Sequence, residues 1–180
     1  QISKSILGWS MAMLVSEGVY HERYVKRQKI FKELTNDNER IDLVNFATNF
    51  KIKPTLDSEI DWEVLWNKNL KIHLSVLYEI YSKYYRKKIN NIFDVIDCIK
   101  NNYINRLKKI IGFISGKNFY LKRENLFIIE LLILSYINES NKEFSSSLIQ
   151  IENELKKRLS INKIDIKKIL KYCIDNDMNC

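Results

Sequence analysis

Residues 66–84 read WNKNLKIHLSVLYEIYSKY. Trp66, Leu70, His73, Leu77, Ile80 and Tyr84 recur in it at i, i+4, i+7 spacing, the repeat of one face of an α-helix. No glycine or proline interrupts the stretch, and it is too long for a strand. It predicts a long helix with an apolar stripe, and a stripe of that kind needs other helices to cover it.

The flanks fit the same reading. Ser58 with Asp61 three residues on predicts a capping box that opens this helix. Before it, Lys51 to Asp57 is a loop, because the residue ahead of Pro54 disfavours the α region. Leu43, Phe46, Ala47 and Phe50 sit at helical spacing in a short helix that ends before that proline. Tyr20, Tyr24, Phe31 and Leu34 mark a helix over about 20–34. The first helix, about 3–17, carries Trp9, Met11, Met13 and Leu14 on more than one side and stops at Gly18. Downstream, a helix over about 91–115 closes at Gly116, and 117–123 is a connector. Residues 125–138 are apolar nearly all round, as in a helix with neighbours on most sides. Helices over about 144–159 and 163–174 complete the chain.

The whole chain holds one Pro and four Gly in 180 residues, so breaker-free stretches are plentiful and the turn residues that sheets require are scarce. The expected fold is all-α: a single-domain multi-helix bundle of about seven to eight helices, with the helical domain at 1–175 and a frayed tail at 176–180. Hydrophobic residues at 46% and charged residues at 29% exclude wholesale disorder. An apolar helix ending in Ser16-Glu17-Gly18 precedes an amphipathic one, and a second apolar helix ending in Asn138-Glu139-Ser140 does the same. These units resemble those of TerB-like helical domains. The family's acidic–glycine pair stands in the first as Glu17-Gly18 and is absent from the second.

The apolar run Leu126 to Ile137 contains Glu130 and falls short of the roughly 20 residues a membrane span requires, so no transmembrane segment is expected. Cys98, Cys173 and Cys180 form no CxxC and are odd in number, which fits an intracellular, reducing compartment. Position 1 is Gln, so a processed or partial chain is expected. The 27 Ile against 7 Val, 23 Lys against 7 Arg, and 19 Asn are what an AT-rich genome produces.

Charge is the main functional clue. The total is +8, yet residues 81–123 alone carry 11 basic and 2 acidic groups, net +9. Lys83, Arg86, Lys87, Lys88, Lys100, Arg106, Lys108, Lys109, Lys117, Lys122 and Arg123 make up this set, with Tyr84, Tyr85, Tyr103, Phe119 and Tyr120 interleaved. Cations gathered on one face raise a potential that draws polyanions, and adjacent aromatic rings can stack on unpaired bases. The expected partner is therefore a nucleic acid or an acidic protein, met through Lys83, Tyr85, Arg86, Lys87, Lys88, Arg106, Lys108, Lys109, Lys117, Tyr120, Lys122 and Arg123. The same charge also reads as an ordinary solvated face, and the low Arg share weighs against specific base or phosphate recognition.

No catalytic signature stands beside this. GxGxxG and GxxxxGK[ST] are absent, Asp61 and Glu63 suit a helix N-terminus, and Ser145 to Ser147 suit capping. His73 lies on the apolar stripe, where a hydrogen-bonded core or edge histidine is expected. No cofactor and no metal site is expected. The reading is a non-enzymatic helical binding module or a subunit of a larger assembly. Its alternative is an enzyme with a helical active site around Glu17, His21 and Glu22, where carboxylates flank an imidazole.

Overall fold

The computed structural model describes residues 2–54, 60–101, 119–140, 146–159, 163 and 165; for 119–126 and 146 the backbone alone is described. The described residues form seven α-helices and no strand, the all-α architecture that the sequence predicts. The chain divides into two compact units, Gln1–Lys88 and Ile89–Cys180.

In the first unit, α1 (Ile2–Ser16) packs against α2 (Tyr24–Leu34), α3 (Asn38–Ile52) and α4 (Trp62–Tyr85). Three neighbours explain why α1 is apolar on more than one side. Its Ile6, Trp9, Met13 and Leu14 are buried with Phe31 of α2, Leu43, Val44 and Ala47 of α3, and Ile72 and Val76 of α4. The Ile, Leu, Val, Met and Phe side chains among them each contribute about 1.5–3 kcal/mol by leaving water. Trp9 meets Phe31 edge-on at 5.9 Å between ring centroids.

The helix starts differ from the sequence reading in instructive ways. Asp61, rather than Ser58, is the N-cap of α4, and its Oδ1 accepts the backbone N–H of Glu63 and of Val64 at 3.0 Å each. Ser58 lies outside the described residues. Asp37 caps α3 by accepting from the Arg40 backbone N–H at 3.1 Å. The second helix begins at Tyr24, not Tyr20, and of its expected stripe only Phe31 is buried.

Of the expected stripe of α4, Leu70 is buried, Trp66, His73, Leu77 and Ile80 are half-buried and Tyr84 is exposed, and burial extends beyond the stripe to Asn69, Ile72, Leu74 and Val76. Asn69 is the unexpected member. A polar side chain argues against burial, yet here its Oδ1 accepts the indole Nε1–H of Trp9 at 2.9 Å. Its Nδ2 donates to Ser5 Oγ at 3.1 Å, and Ser5 Oγ lies 3.3 Å from His73 Nδ1. A serine hydroxyl both donates and accepts, so the Ser5–His73 contact suits either tautomer of the imidazole. Both polar atoms of the Asn69 side chain thus find partners, and its burial becomes tolerable.

These pairs also fix direction. Ser5 is level with Asn69 and His73, while Ser16 is level with Lys83, so α1 and α4 run parallel. In α3, Phe50 meets Trp62 and Arg40 meets Ser75 and Glu79, so α3 runs antiparallel to α4. Arg40 is the polar tie here. It donates to Glu79 at 2.8 Å and Ser75 at 3.1 Å, and its Nε lies 3.1 Å from Asp37.

In the second unit, α5 (Ile92–Asn101) and α7 (Ser146–Leu159) each pack on α6 (Phe119–Ser140). Asn91 caps α5 by accepting from Phe93 and Asp94, and Asp94 accepts in turn from the Asn90 N–H. Val95, Ile96 and Ile99 of α5, Ile128, Ile129 and Leu132 of α6, and Ile151 and Leu155 of α7 are buried. The helix α6 begins at Phe119, so 119–123 is helical rather than the expected connector, and the helix continues beyond Asn138. Burial together with the Glu152 carboxylate holds the Tyr136 phenol above its ordinary range, and Tyr136 donates to Glu152 at 3.3 Å. The expected helix over 163–174 and the tail at 176–180 lie outside the described residues, Lys163 and Asp165 apart.

The Trp9–Asn69–Ser5–His73 line has two measurable outcomes. Replacing Asn69 by Ala strands a buried indole N–H, so the unfolding free energy falls by about 1–3 kcal/mol in urea titration. Burial lowers the His73 pKa below 6.5, so between that lowered value and 6.5 the unfolded chain holds a proton that the folded chain does not. Stability is therefore complete above pH 6.5 and declines as the pH falls below it. His73→Gln flattens that decline when urea midpoints are compared at pH ~7 and pH ~5.

Candidate functional site

The C-terminal ends of α1 and α4 lie side by side, because the two helices are parallel and in register. Each leaves unpaired carbonyls and the negative pole of its dipole there. Both ends close with the same hydrogen-bond pattern. At α1, Gly18 N–H donates to Val15 O and Val19 N–H to Leu14 O, each at 3.0 Å, with Gly18 at φ 73°. At α4, Arg86 N–H donates to Lys83 O at 3.4 Å and Lys87 N–H to Ser82 O at 3.1 Å. This is the Schellman arrangement, whose penultimate residue adopts the left-handed conformation.

The occupant of that left-handed position differs between the two helices. In α1 it is glycine, which bears no steric cost. In α4 it is Arg86, at φ 50° and ψ 38°, the sole non-glycine residue with positive φ among the described residues. A residue with a Cβ is strained there by about 1–2 kcal/mol.

The expected site residues fare differently. Lys83 is committed to the fold: its Nζ lies 2.6 Å from the Glu17 carboxylate and donates to Ser16 O at 3.3 Å, a cation seated on the C-terminus of α1. Arg86, Lys87 and Lys88 come next as consecutive exposed cations, and among the described residues no carboxylate pairs with them. Tyr85 is half-buried. It stacks on Tyr81 at 5.8 Å and meets Tyr84 edge-on at 5.0 Å. Lys100, on α5, stands 3.8 Å from Glu154, which also accepts from Arg158 at 2.9 Å. Tyr120, Lys122 and Arg123 fall in the first two turns of α6, described in backbone alone. Arg106, Lys108, Lys109 and Lys117 lie outside the described residues. The division between the two units falls between Lys88 and Ile89, inside the basic segment.

Glu17, His21 and Glu22 each have a separate local setting in the first unit. Glu17 is engaged by Lys83, His21 Nδ1 accepts the backbone N–H of Arg23 at 3.0 Å, and Glu22 is exposed. Among the described residues, no cluster of three or more His, Cys, Asp or Glu has the geometry to hold a metal ion. No described helix is long and apolar enough to cross a membrane.

A second set of cations lies outside the basic segment. Arg23, the residue before α2, and Lys26, Lys29 and Lys32 on it are exposed, and Arg27 lies over the Tyr24 ring at 4.2 Å and the Tyr20 ring at 5.7 Å. Residues 23–32 carry five basic groups and no acidic one, so a ten-residue charge window would have shown them.

No protein-family model, no curated protein and no solved structure matches the chain.

The left-handed conformation of Arg86 carries a measurable cost. Arg86→Gly removes the strain and raises the unfolding free energy by about 1 kcal/mol, whereas Arg86→Ala, which keeps the Cβ, gains nothing. Urea midpoints of the three proteins check both.

Proposed function

We propose that the chain is a non-enzymatic helical binding module, or a subunit of a larger assembly, that contacts an anionic macromolecule through its basic segment at 83–123. One observation carries this reading: Arg86, Lys87 and Lys88 form an exposed, uncompensated cationic end on α4, with an arginine held where glycine would cost less. Two local charges that would oppose an anion are already engaged, Glu17 by Lys83 and Glu79 by Arg40. The cationic end therefore keeps its potential for an outside partner. Arginine adds a planar donor fork that suits phosphate or carboxylate, and the lysines add mobile charge. Strain retained at an exposed residue supports a role for that side chain beyond folding.

The test is binding of the full chain to a labelled oligonucleotide and to polyglutamate at low and high salt. Affinity falls steeply with salt, with a log–log slope of about −0.9 for each duplex phosphate engaged. Reversing Arg86, Lys87 and Lys88 together to Glu weakens binding by at least about tenfold and flattens the slope by about 2–3. Adding Lys108→Glu and Lys109→Glu deepens the loss. Binding that ignores both salt and these reversals removes the reading.

A further inference from the structure

We infer that the end of α4 is a stacking site for single-stranded nucleic acid, with Tyr84 as the ring on which a base rests; this builds on the anionic-partner reading above. Tyr84 is 70% exposed, more than any other large hydrophobic or aromatic side chain among the described residues. Its ring meets that of Tyr85 in a T-shaped contact at 5.0 Å, and Tyr85 in turn stacks on Tyr81 at 5.8 Å. A ring held by a neighbour and exposed to this degree keeps surface free for a base. Arg86, Lys87 and Lys88 begin two residues further along, in the chain reversal that ends the helix.

This juxtaposition selects among polyanions. An acidic polypeptide satisfies the three cations but brings no aromatic plane to Tyr84. A duplex satisfies them too, but its bases are stacked on one another and turned inward. A single strand brings phosphates for the cations and free base faces for the ring, and base–aromatic stacking is tolerant of sequence. The cations track the backbone while Tyr84 takes a base, which is the division of labour in non-specific single-strand binding.

Three probes separate the outcomes: a labelled oligothymidylate of about 15 nucleotides, a duplex of equal length, and polyglutamate. Each is titrated by anisotropy against the full chain, Tyr84→Ala, Tyr84→Phe, and the Arg86/Lys87/Lys88 reversal. The expected result is tighter binding of the single strand than of the duplex, a loss of about 5- to 100-fold for Tyr84→Ala on the single strand alone, and near-parental binding for Tyr84→Phe. Equal affinity for single strand and duplex, or a Tyr84→Ala loss below about twofold on the single strand, overturns the stacking site while leaving the cationic surface intact. Absence of binding to all three probes overturns both.

Discussion

A single buried hydrogen bond, Trp9 Nε1–H to Asn69 Oδ1 at 2.9 Å, sets the first unit in register. Both partners are large or polar groups that cannot be left unsatisfied away from water, so sliding α1 along α4 by even one turn would strand an indole N–H and an amide. Hydrophobic contact alone would tolerate several registers, since Ile, Leu and Met side chains substitute for one another with modest loss. The polar line through Ser5 and His73 extends the constraint over another turn. The consequence is geometric: two helices locked parallel bring like poles together, and the cation of Lys83 sits where those poles meet.

The sequence carried the class of the fold because periodicity and the scarcity of breakers are local properties. It carried the details less well wherever one residue's role depends on a distant one. Asn69 reads as surface until Trp9 is known to face it, so a buried residue beside the expected stripe of α4 went unmarked. Ser58 and Asp61 both qualify as caps by residue type, and the choice rests on the backbone turning at Asp61. The start of α6 at Phe119 falls inside the stretch read as a connector after Gly116, although Lys122 and Arg123 within it are good helix formers.

The candidate site was legible as a quantity and illegible as a shape. A net charge summed over 81–123 detects an excess of cations, but it cannot separate Lys83, whose side chain caps a neighbouring helix, from Arg86 to Lys88, whose side chains stay exposed. Nor does that sum reach the cations of α2, which lie outside 81–123. The strained backbone of Arg86 has no signature in composition at all, because arginine is a common residue near helix ends and only the dihedral angles reveal the cost.

All three tryptophans of the chain, Trp9, Trp62 and Trp66, lie in the first unit. Indole emission therefore reports on one half of the molecule, and tyrosine is the only strong native chromophore in the other. Trp9 is buried against Phe31 and hydrogen-bonded, while Trp62 is partly exposed, so loss of the first unit shifts the emission to the red. Any loss of helical ellipticity that leaves the indole signal untouched belongs to the second unit. Two optical channels thus resolve the melting of the two halves without a label or a truncated chain.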